Sequence, residues 1–210
     1  QRDIRPREIK EISRGRHALL YCWRGGMRSE TFAWLLDLAG FEVFTLKNGY
    51  KSFRKFILEN FDRKANLIVL GGMTGSGKTD ILNQLALLGE QVLNLEHLAH
   101  HKGSAFGAIG QNSQPTTECF ENKIFEFWQK FDLSKPVWVE DESHNLGKVH
   151  IPAGLWLQMR NSPVIKIEIP KMIRAKRLVK EYACFDGFLL EDAILKIEKR
   201  LGGLNTKKAL

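Results

Sequence analysis

The chain has 210 residues, with 32 Lys and Arg against 24 Asp and Glu, a formal net charge of +8. That length holds one full domain and part of another, and 43% apolar residues make a packed core feasible, but no apolar run reaches the length of a membrane span. Three cysteines, Cys22, Cys119 and Cys184, make no even disulfide framework, and no secretory leader pattern is present, so a cytoplasmic location is expected.

The positive balance suits a polyanionic partner, with RNA the natural one. Basic residues gather at Arg2, Arg5, Arg7, Lys10, Arg14 and Arg16, at Lys47, Lys51, Arg54 and Lys55, and on the C-terminal helix; none belongs to a recognised RNA-binding motif. In chain order, the apolar run Ala18 to Tyr21 reads as a short buried strand that delivers Cys22 to the loop Trp23-Arg24-Gly25-Gly26-Met27-Arg28-Ser29. Helical spacing follows from Glu30 to Leu38, with Gly40 as the stop. A cysteine before a helix N-terminus faces unpaired N–H groups and a favourable dipole, which lower its pKa. Glycines let the backbone curl around an oxyanion, and Arg24 and Arg28 add donors. Two chemistries use such a loop: a rhodanese-type sulfur carrier, and a cysteine phosphatase with its Cys, five residues, then Arg. Tyr21 stands where phosphatases of that pattern commonly carry a histidine. Phe41 to Leu46 reads as a second strand, Asn48-Gly49-Tyr50 as a turn, and Phe53 to Leu58 as a helix leading to a boundary between Glu59 and Lys64.

The second part opens with an apolar strand over 67–71 that runs into Gly72-Met73-Thr74-Gly75-Ser76-Gly77-Lys78-Thr79 and a helix over 79–88. Strand, glycine loop, helix is the context a phosphate-binding loop requires. The backbone at Gly72, Gly75, Ser76 and Gly77 cradles phosphates, Lys78 reaches terminal oxygens, and the Thr79 hydroxyl is placed for Mg2+. After a strand at 91–95, His97 and His101 have the spacing of one helix face, which makes a metal site conceivable. No nearby cysteine completes a ligand set and Lys102 repels a cation, so no metal site is expected. The segment reads instead as a substrate loop, with Glu96, His101 and Ser104 as its polar residues. A helix over 117–131 and a strand over 136–140 follow; the strand runs into Asp141 and Glu142, either of which is placed for magnesium or a water. A strand at 164–168, a helix at 171–182 bearing the lid candidates Arg174 and Arg177, and a helix at 189–201 complete the pattern. This alternation predicts a parallel α/β sheet with helices on both faces.

The Cys22 loop resembles the rhodanese loop in its selenouridine-synthase form, one residue longer than the common rhodanese loop and so roomier for a phosphate-bearing donor. Rhodanese loop followed by phosphate loop resembles the bacterial tRNA 2-selenouridine synthase family. So do Gly49-Tyr50-Lys51, Leu95-Glu96, Ala99 to Gly107, Gln114-Pro115, Phe120-Glu121-Asn122, Val137 to Ser143 and Leu201-Gly202-Gly203, while His97, His100 and Lys102 depart from the expected pattern. The resemblance implies the C-terminal part of a rhodanese-like domain with a connecting helix (1–60), then a P-loop NTPase-like parallel α/β domain (65–210). It implies a chain cut at both ends relative to a full-length member, with an exposed sheet edge and low stability in the first domain. The implied reaction converts wobble 2-thiouridine of tRNA to 2-selenouridine through an S-geranyl intermediate. Cys22 carries selenium; Arg24, Arg28 and the loop amides hold selenophosphate; and Lys78 and Thr79 hold geranyl diphosphate, with Mg2+ as helper. The implied partners are tRNA and an enzyme that makes selenophosphate. The phosphate loop equally admits ATP, and two rival readings are a small-molecule kinase with a vestigial cysteine loop and a non-catalytic tRNA-binding fragment.

Overall fold

The computed structural model describes residues 16–210, so Arg2, Arg5, Arg7, Lys10 and Arg14 lie outside the described residues. The chain divides into two compact units, one ending at Asn60 and the other starting at Phe61.

In the first unit, β1 (His17–Leu20) and β2 (Glu42–Thr45) pair in parallel, with His17 opposite Glu42 and Leu20 opposite Thr45. Helix α1 (Met27–Leu38) connects them and α2 (Gly49–Asn60) follows. Gly40, at φ +80°, ends α1; its N–H bonds back to Asp37 O and that of Phe41 to Leu36 O, satisfying orphan carbonyls. Leu36, Phe41 and Ile57 are buried, whereas Leu19 and Phe44 of the two strands remain more than half exposed. The predicted turn ends one residue into its span: Asn48 takes φ +60° and the helix starts at Gly49 rather than at Phe53. The reason is tertiary, because Tyr50 and Lys51 donate their N–H groups to the carbonyls of Cys22 and Trp23, both at 2.9 Å.

The second unit is built on a four-stranded parallel sheet in the order β4-β5-β3-β8. These strands are β3 (Asn66–Gly72), β4 (Gln91–Leu93), β5 (Pro136–Glu140) and β8 (Val164–Ile167); a small antiparallel hairpin, β6 (Asn145–Leu146) with β7 (Val149–His150), lies between β5 and β8 in the chain. Central β3 pairs with β5, Leu70 opposite Glu140, and with β8, Gly72 opposite Ile167. Leu67, Val69 and Leu70 are all at most 2% exposed, as expected for a parallel strand covered on both faces. The chain leaves β3 through α3 (Lys78–Leu87) toward β4 and later crosses back through α6 (Ala153–Arg160) to β8. Right-handed crossovers that run in opposite directions lie on opposite faces. The carboxyl end of β3 is therefore the switch point of the sheet, the place where a crevice opens.

Helix α5 (Thr117–Trp128) is capped by the Thr116 hydroxyl, which accepts from Cys119 N at 3.2 Å. It buries Phe120, Ile124 and Trp128, and Phe61 meets Trp128 with ring centroids 5.8 Å apart. Truncating Trp128 to alanine removes about 3–5 kcal/mol from such a core. Three short helices escaped the sequence pattern: α4 (Leu95–Ala99), α6 and α10 (Gly203–Ala209). After α7 (Lys171–Tyr182), the helix expected over 189–201 is two pieces, α8 (Gly187–Lys196) and α9 (Glu198–Leu201), broken at Ile197. Asp186 accepts from Phe188 N at 2.8 Å and so starts α8 two residues early. Ile109, Tyr182 and Ala193 form a separate small core, with Phe106, Leu178, Phe185 and Leu190 packed on it.

Candidate active site

The first candidate centre is Cys22, which follows β1 and precedes the N-terminus of α1. Its Sγ lies 3.4 Å from Ser29 Oγ, and that hydroxyl also reaches Gly26 O at 3.0 Å. A hydroxyl has one proton, so Ser29 donates to Gly26 O beside the neutral thiol and turns toward the sulfur as the thiolate forms. The thiol is lowered from its ordinary 9.0 to about 7, chiefly by the Ser29 hydrogen bond; burial opposes it, and the N–H groups of Gly26, Ser29 and Arg24 assist. Gly25, at φ +61°, lies against Gly49, at φ +69°, so closely that a Cβ on either would overlap backbone of the other segment. Arg24 and Arg28 are both exposed. Arg24 lines a groove of about 600 Å³ together with Lys51, Arg54 and Lys55 of α2. Ser29, read only as the last residue of the cysteine loop, makes the principal contact to the sulfur.

The second centre is the loop from Gly72 to Thr79 at the switch point. Gly75 and Gly77 take φ +78° and +87°, conformations that a side chain would strain. Lys78 Nζ donates to Gly72 O at 2.9 Å, folding the lysine over its own loop. Thr79 donates its hydroxyl to Glu96 on α4 at 3.2 Å. Glu96 and Glu142 are hydrogen-bonded to each other: burial raises both, and Lys78 opposes that rise. Glu142 is pushed up to about 7, with the Glu96 charge as the second cause after burial. Gly103, at φ +61°, leaves the space that the Glu142 carboxylate fills.

The two acids after β5 are thereby separated. Glu142 turns toward Lys78, while Asp141 pairs with Arg160 Nη2 at 2.6 Å, and that guanidinium stacks 4.3 Å from the Trp156 ring. Glu140, the first of the three acids in a row at the end of this strand, is fully buried. It accepts from Leu95 N at 2.9 Å, while its Oε1 has no partner among the described residues. Burial, with the nearby Glu96 and Glu142 charges adding to it, pushes Glu140 up to about 8.

His97 and His101 do not share a helix face, which corrects the expectation from their spacing. Helix α4 ends at Ala99 because His100 takes the left-handed conformation at φ +51°, and His101 N then bonds back to Glu96 O at 3.0 Å. The His101 ring packs on Gly107 with its Nδ1 buried and unpaired among the described residues, and burial holds its pKa below the ordinary value. Arg174 donates to Thr74 O at 3.1 Å and to Ile169 O at 3.2 Å, and the Arg177 guanidinium lies on Gly77. Helix α7 thus sets both arginines on the phosphate loop. Beside Thr74 opens a groove of about 820 Å³ that includes Ser104 and is walled by Phe106, Leu178, Tyr182, Leu190 and Ile194.

A parallel sheet whose switch-point loop carries lysine and threonine, faced by buried carboxyl groups and arginines, defines a phosphate-binding α/β domain. Residues 65–210 match the family model described as the tRNA 2-selenouridine synthase AAA domain. The chain is 37% identical to a tRNA 2-selenouridine synthase of Bordetella petrii over 88% of this chain and 54% of that protein. It is 36% identical to that of Shewanella loihica (89% and 55% covered) and 39% identical to that of Nitrosomonas europaea (79% and 44% covered). No solved structure matches it. The chain belongs to the tRNA 2-selenouridine synthase family and spans about half the length of the curated relatives it matches. No helix among the described residues is long and apolar enough to cross a membrane.

Proposed function

We propose that this chain works in converting 2-thiouridine of tRNA to 2-selenouridine by way of an S-geranyl intermediate, with selenophosphate as selenium donor. The observation that carries this reading is the juxtaposition of an anion-binding loop and an apolar groove: Thr74 belongs to both. A nucleotide offers a polar sugar and a flat base to such a groove, whereas a prenyl diphosphate offers ten carbons of branched hydrocarbon. Each buried methylene contributes about 0.8 kcal/mol, so the tail is worth several kcal/mol there.

The loop amides, Lys78, Arg174 and Arg177 hold the diphosphate and stabilise the negative charge that gathers on it as the allylic C–O bond breaks. The thiouridine sulfur forms the new C–S bond, and diphosphate leaves. Thr79, Glu96 and Glu142 present hard oxygen donors of the kind magnesium takes, and magnesium bound there would add charge stabilisation at the leaving phosphate. In the second stage selenium replaces the alkylated sulfur on the pyrimidine and geranyl thiol departs. Residues up to Asn60 are read as the closing part of a rhodanese-like domain. There the loop amides with Arg24 and Arg28 hold the phosphate of selenophosphate while its selenium displaces geranyl thiol at the pyrimidine. The Cys22 thiolate then attacks phosphorus, the P–Se bond breaks to leave selenium on the pyrimidine, and water frees the thiol by releasing inorganic phosphate.

The test is a nucleoside digest read by mass spectrometry, after incubating the protein with 2-thiouridine tRNA, geranyl diphosphate and selenophosphate. Selenouridine supports both halves of the reading, and geranylated thiouridine alone supports the phosphate-loop half. No product, in this chain and in an N-terminally extended one alike, overturns it. Cys22→Ala is expected to abolish selenation and spare geranylation, and Lys78→Ala to abolish geranylation.

A further inference from the structure

The structure assigns a single-stranded RNA-binding surface to the first unit, in which Trp23 and Tyr21 are the base-stacking platform and Arg24, Lys51, Arg54 and Lys55 the phosphate track. This inference deepens the proposed function by saying where the tRNA loop is held, and it rests on that reading only for the identity of the RNA.

Two independent observations meet at Cys22. The first is aromatic. Tyr21 and Trp23 flank the cysteine in sequence and are 58% and 56% exposed, although aromatic rings of this size are ordinarily buried. They are not scattered. Tyr50 stacks on Tyr21 with centroids 5.6 Å apart and planes at 28°, and it meets Trp23 at 6.0 Å. Phe53 supports Tyr50 from behind at 6.0 Å. The result is a braced array with open faces beside a nucleophilic sulfur. Such faces suit bases that are not already stacked in a duplex, and sequence-tolerant stacking is the common mode of single-strand recognition.

The second observation is electrostatic. Lys51, Arg54 and Lys55 lie on one side of α2 at the three- and four-residue spacing that makes neighbours on a helix. With Arg24 they line the groove of about 600 Å³. Its one acid among the described residues, Glu59, sits 3.5 Å from Lys55, so four basic side chains line the groove against one carboxylate there. Track and platform share a junction, because the N–H of Lys51 bonds Trp23 O and that of Tyr50 bonds Cys22 O. A strand that lays its phosphates along α2 therefore brings a splayed base over the rings and against Cys22.

The experiment measures binding of a fluorescein-labelled 17-nucleotide RNA stem-loop with a seven-base loop by fluorescence anisotropy across a salt series, using the full chain. Trp23→Ala is expected to weaken binding roughly tenfold with the salt slope unchanged, and Trp23→Phe to recover most of the loss. Lys51→Gln/Arg54→Gln/Lys55→Gln is expected to reduce the slope of log affinity against log salt by about 2, since each phosphate contact to a single strand accounts for about 0.7. A blunt duplex of the same length should bind with no dependence on Trp23. If Trp23→Ala and the triple variant, both folded by circular dichroism, bind the stem-loop as the parent does, the proposal is overturned. The same holds if Trp23 matters equally for the duplex, or if these rings are covered by a protein partner and RNA affinity ignores them. Failure of the selenation reading looks different: RNA binding then still depends on Trp23 while no modified nucleoside forms.

Discussion

Replacing Ser29 with alanine tests the origin of Cys22 reactivity. The parent thiol titrates at about 7 against an ordinary 9.0. At neutral pH about half of it is thiolate, where an ordinary thiol would be roughly 1% ionised. Intrinsic nucleophilicity falls with pKa at a Brønsted slope of about 0.4–0.5, which takes back roughly eightfold of that roughly fiftyfold gain. Cys22 should therefore alkylate only about sixfold faster than a normal thiol near neutrality, and more slowly above about pH 8. Because the Ser29 hydroxyl is the largest cause of the depression, its removal moves the titration midpoint upward from about 7 toward 9.0, while the loop amides keep it short of that limit. The assay is iodoacetamide labelling between about pH 5 and 10, followed on the Cys22 peptide by mass spectrometry. Cys119→Ser/Cys184→Ser removes the two other free, exposed thiols. The expected signature is a slower rate at neutral pH and a faster rate at high pH for Ser29→Ala. A midpoint that does not move, in a folded variant, refutes the assignment of the hydroxyl as the principal acidifying group.

Three further outcomes follow from the geometry. Glu140 titrates at 4.5 unfolded and about 8 folded, so the native state holds the extra proton and wild-type stability falls as pH rises through that window, by at most about 5 kcal/mol. Glu140→Gln should flatten that fall, seen as a melting-temperature gain over the parent that grows from pH 5 to pH 8; a constant difference would contradict it. Gly25→Ala should cost about 2 kcal/mol or more, because it forces a Cβ into Gly49 backbone at φ +61°, and it should raise the Cys22 midpoint. Thermal melts and the same alkylation profile check both effects. Ile194→Asp, which puts a charge in the apolar groove, should weaken geranyl diphosphate at least about tenfold while leaving inorganic diphosphate unaffected, measured by calorimetry.

The phosphate loop was legible because its signal is local: an apolar run, glycines at fixed offsets and a lysine within eight residues dictate strand, loop and helix together. The four parallel strands were legible for the same reason, being short β-rich runs between polar breaks. What the sequence hid was decided by contacts between distant residues. Asp141 and Glu142 are equivalent on paper, and only Arg160, delivered by α6, draws Asp141 away from Lys78. The helical spacing of His97 and His101 is real, but His100 turns left-handed and ends the helix between them. Gly49 starts a helix early because two carbonyls of the cysteine loop wait for its first N–H groups. The apolar groove is assembled from the 103–106 segment and helices α7 to α9, none of which reveals it alone.

Helix α7 touches both halves of the second site: Arg174 and Arg177 stand on the phosphate loop while Leu178 and Tyr182 wall the groove. In the reaction proposed above, a prenyl diphosphate would be a chelating ligand, its polar head and apolar tail gripped by one rigid rod. Joining the two halves covalently makes the second contact intramolecular, with an effective concentration in the millimolar range. The reaction proposed for this site cuts that link. Once the allylic C–O bond breaks, the tail remains on the tRNA sulfur and the diphosphate is held at one end only. Turnover then carries its own release step: the bond whose cleavage drives alkylation is the one that made the donor bidentate.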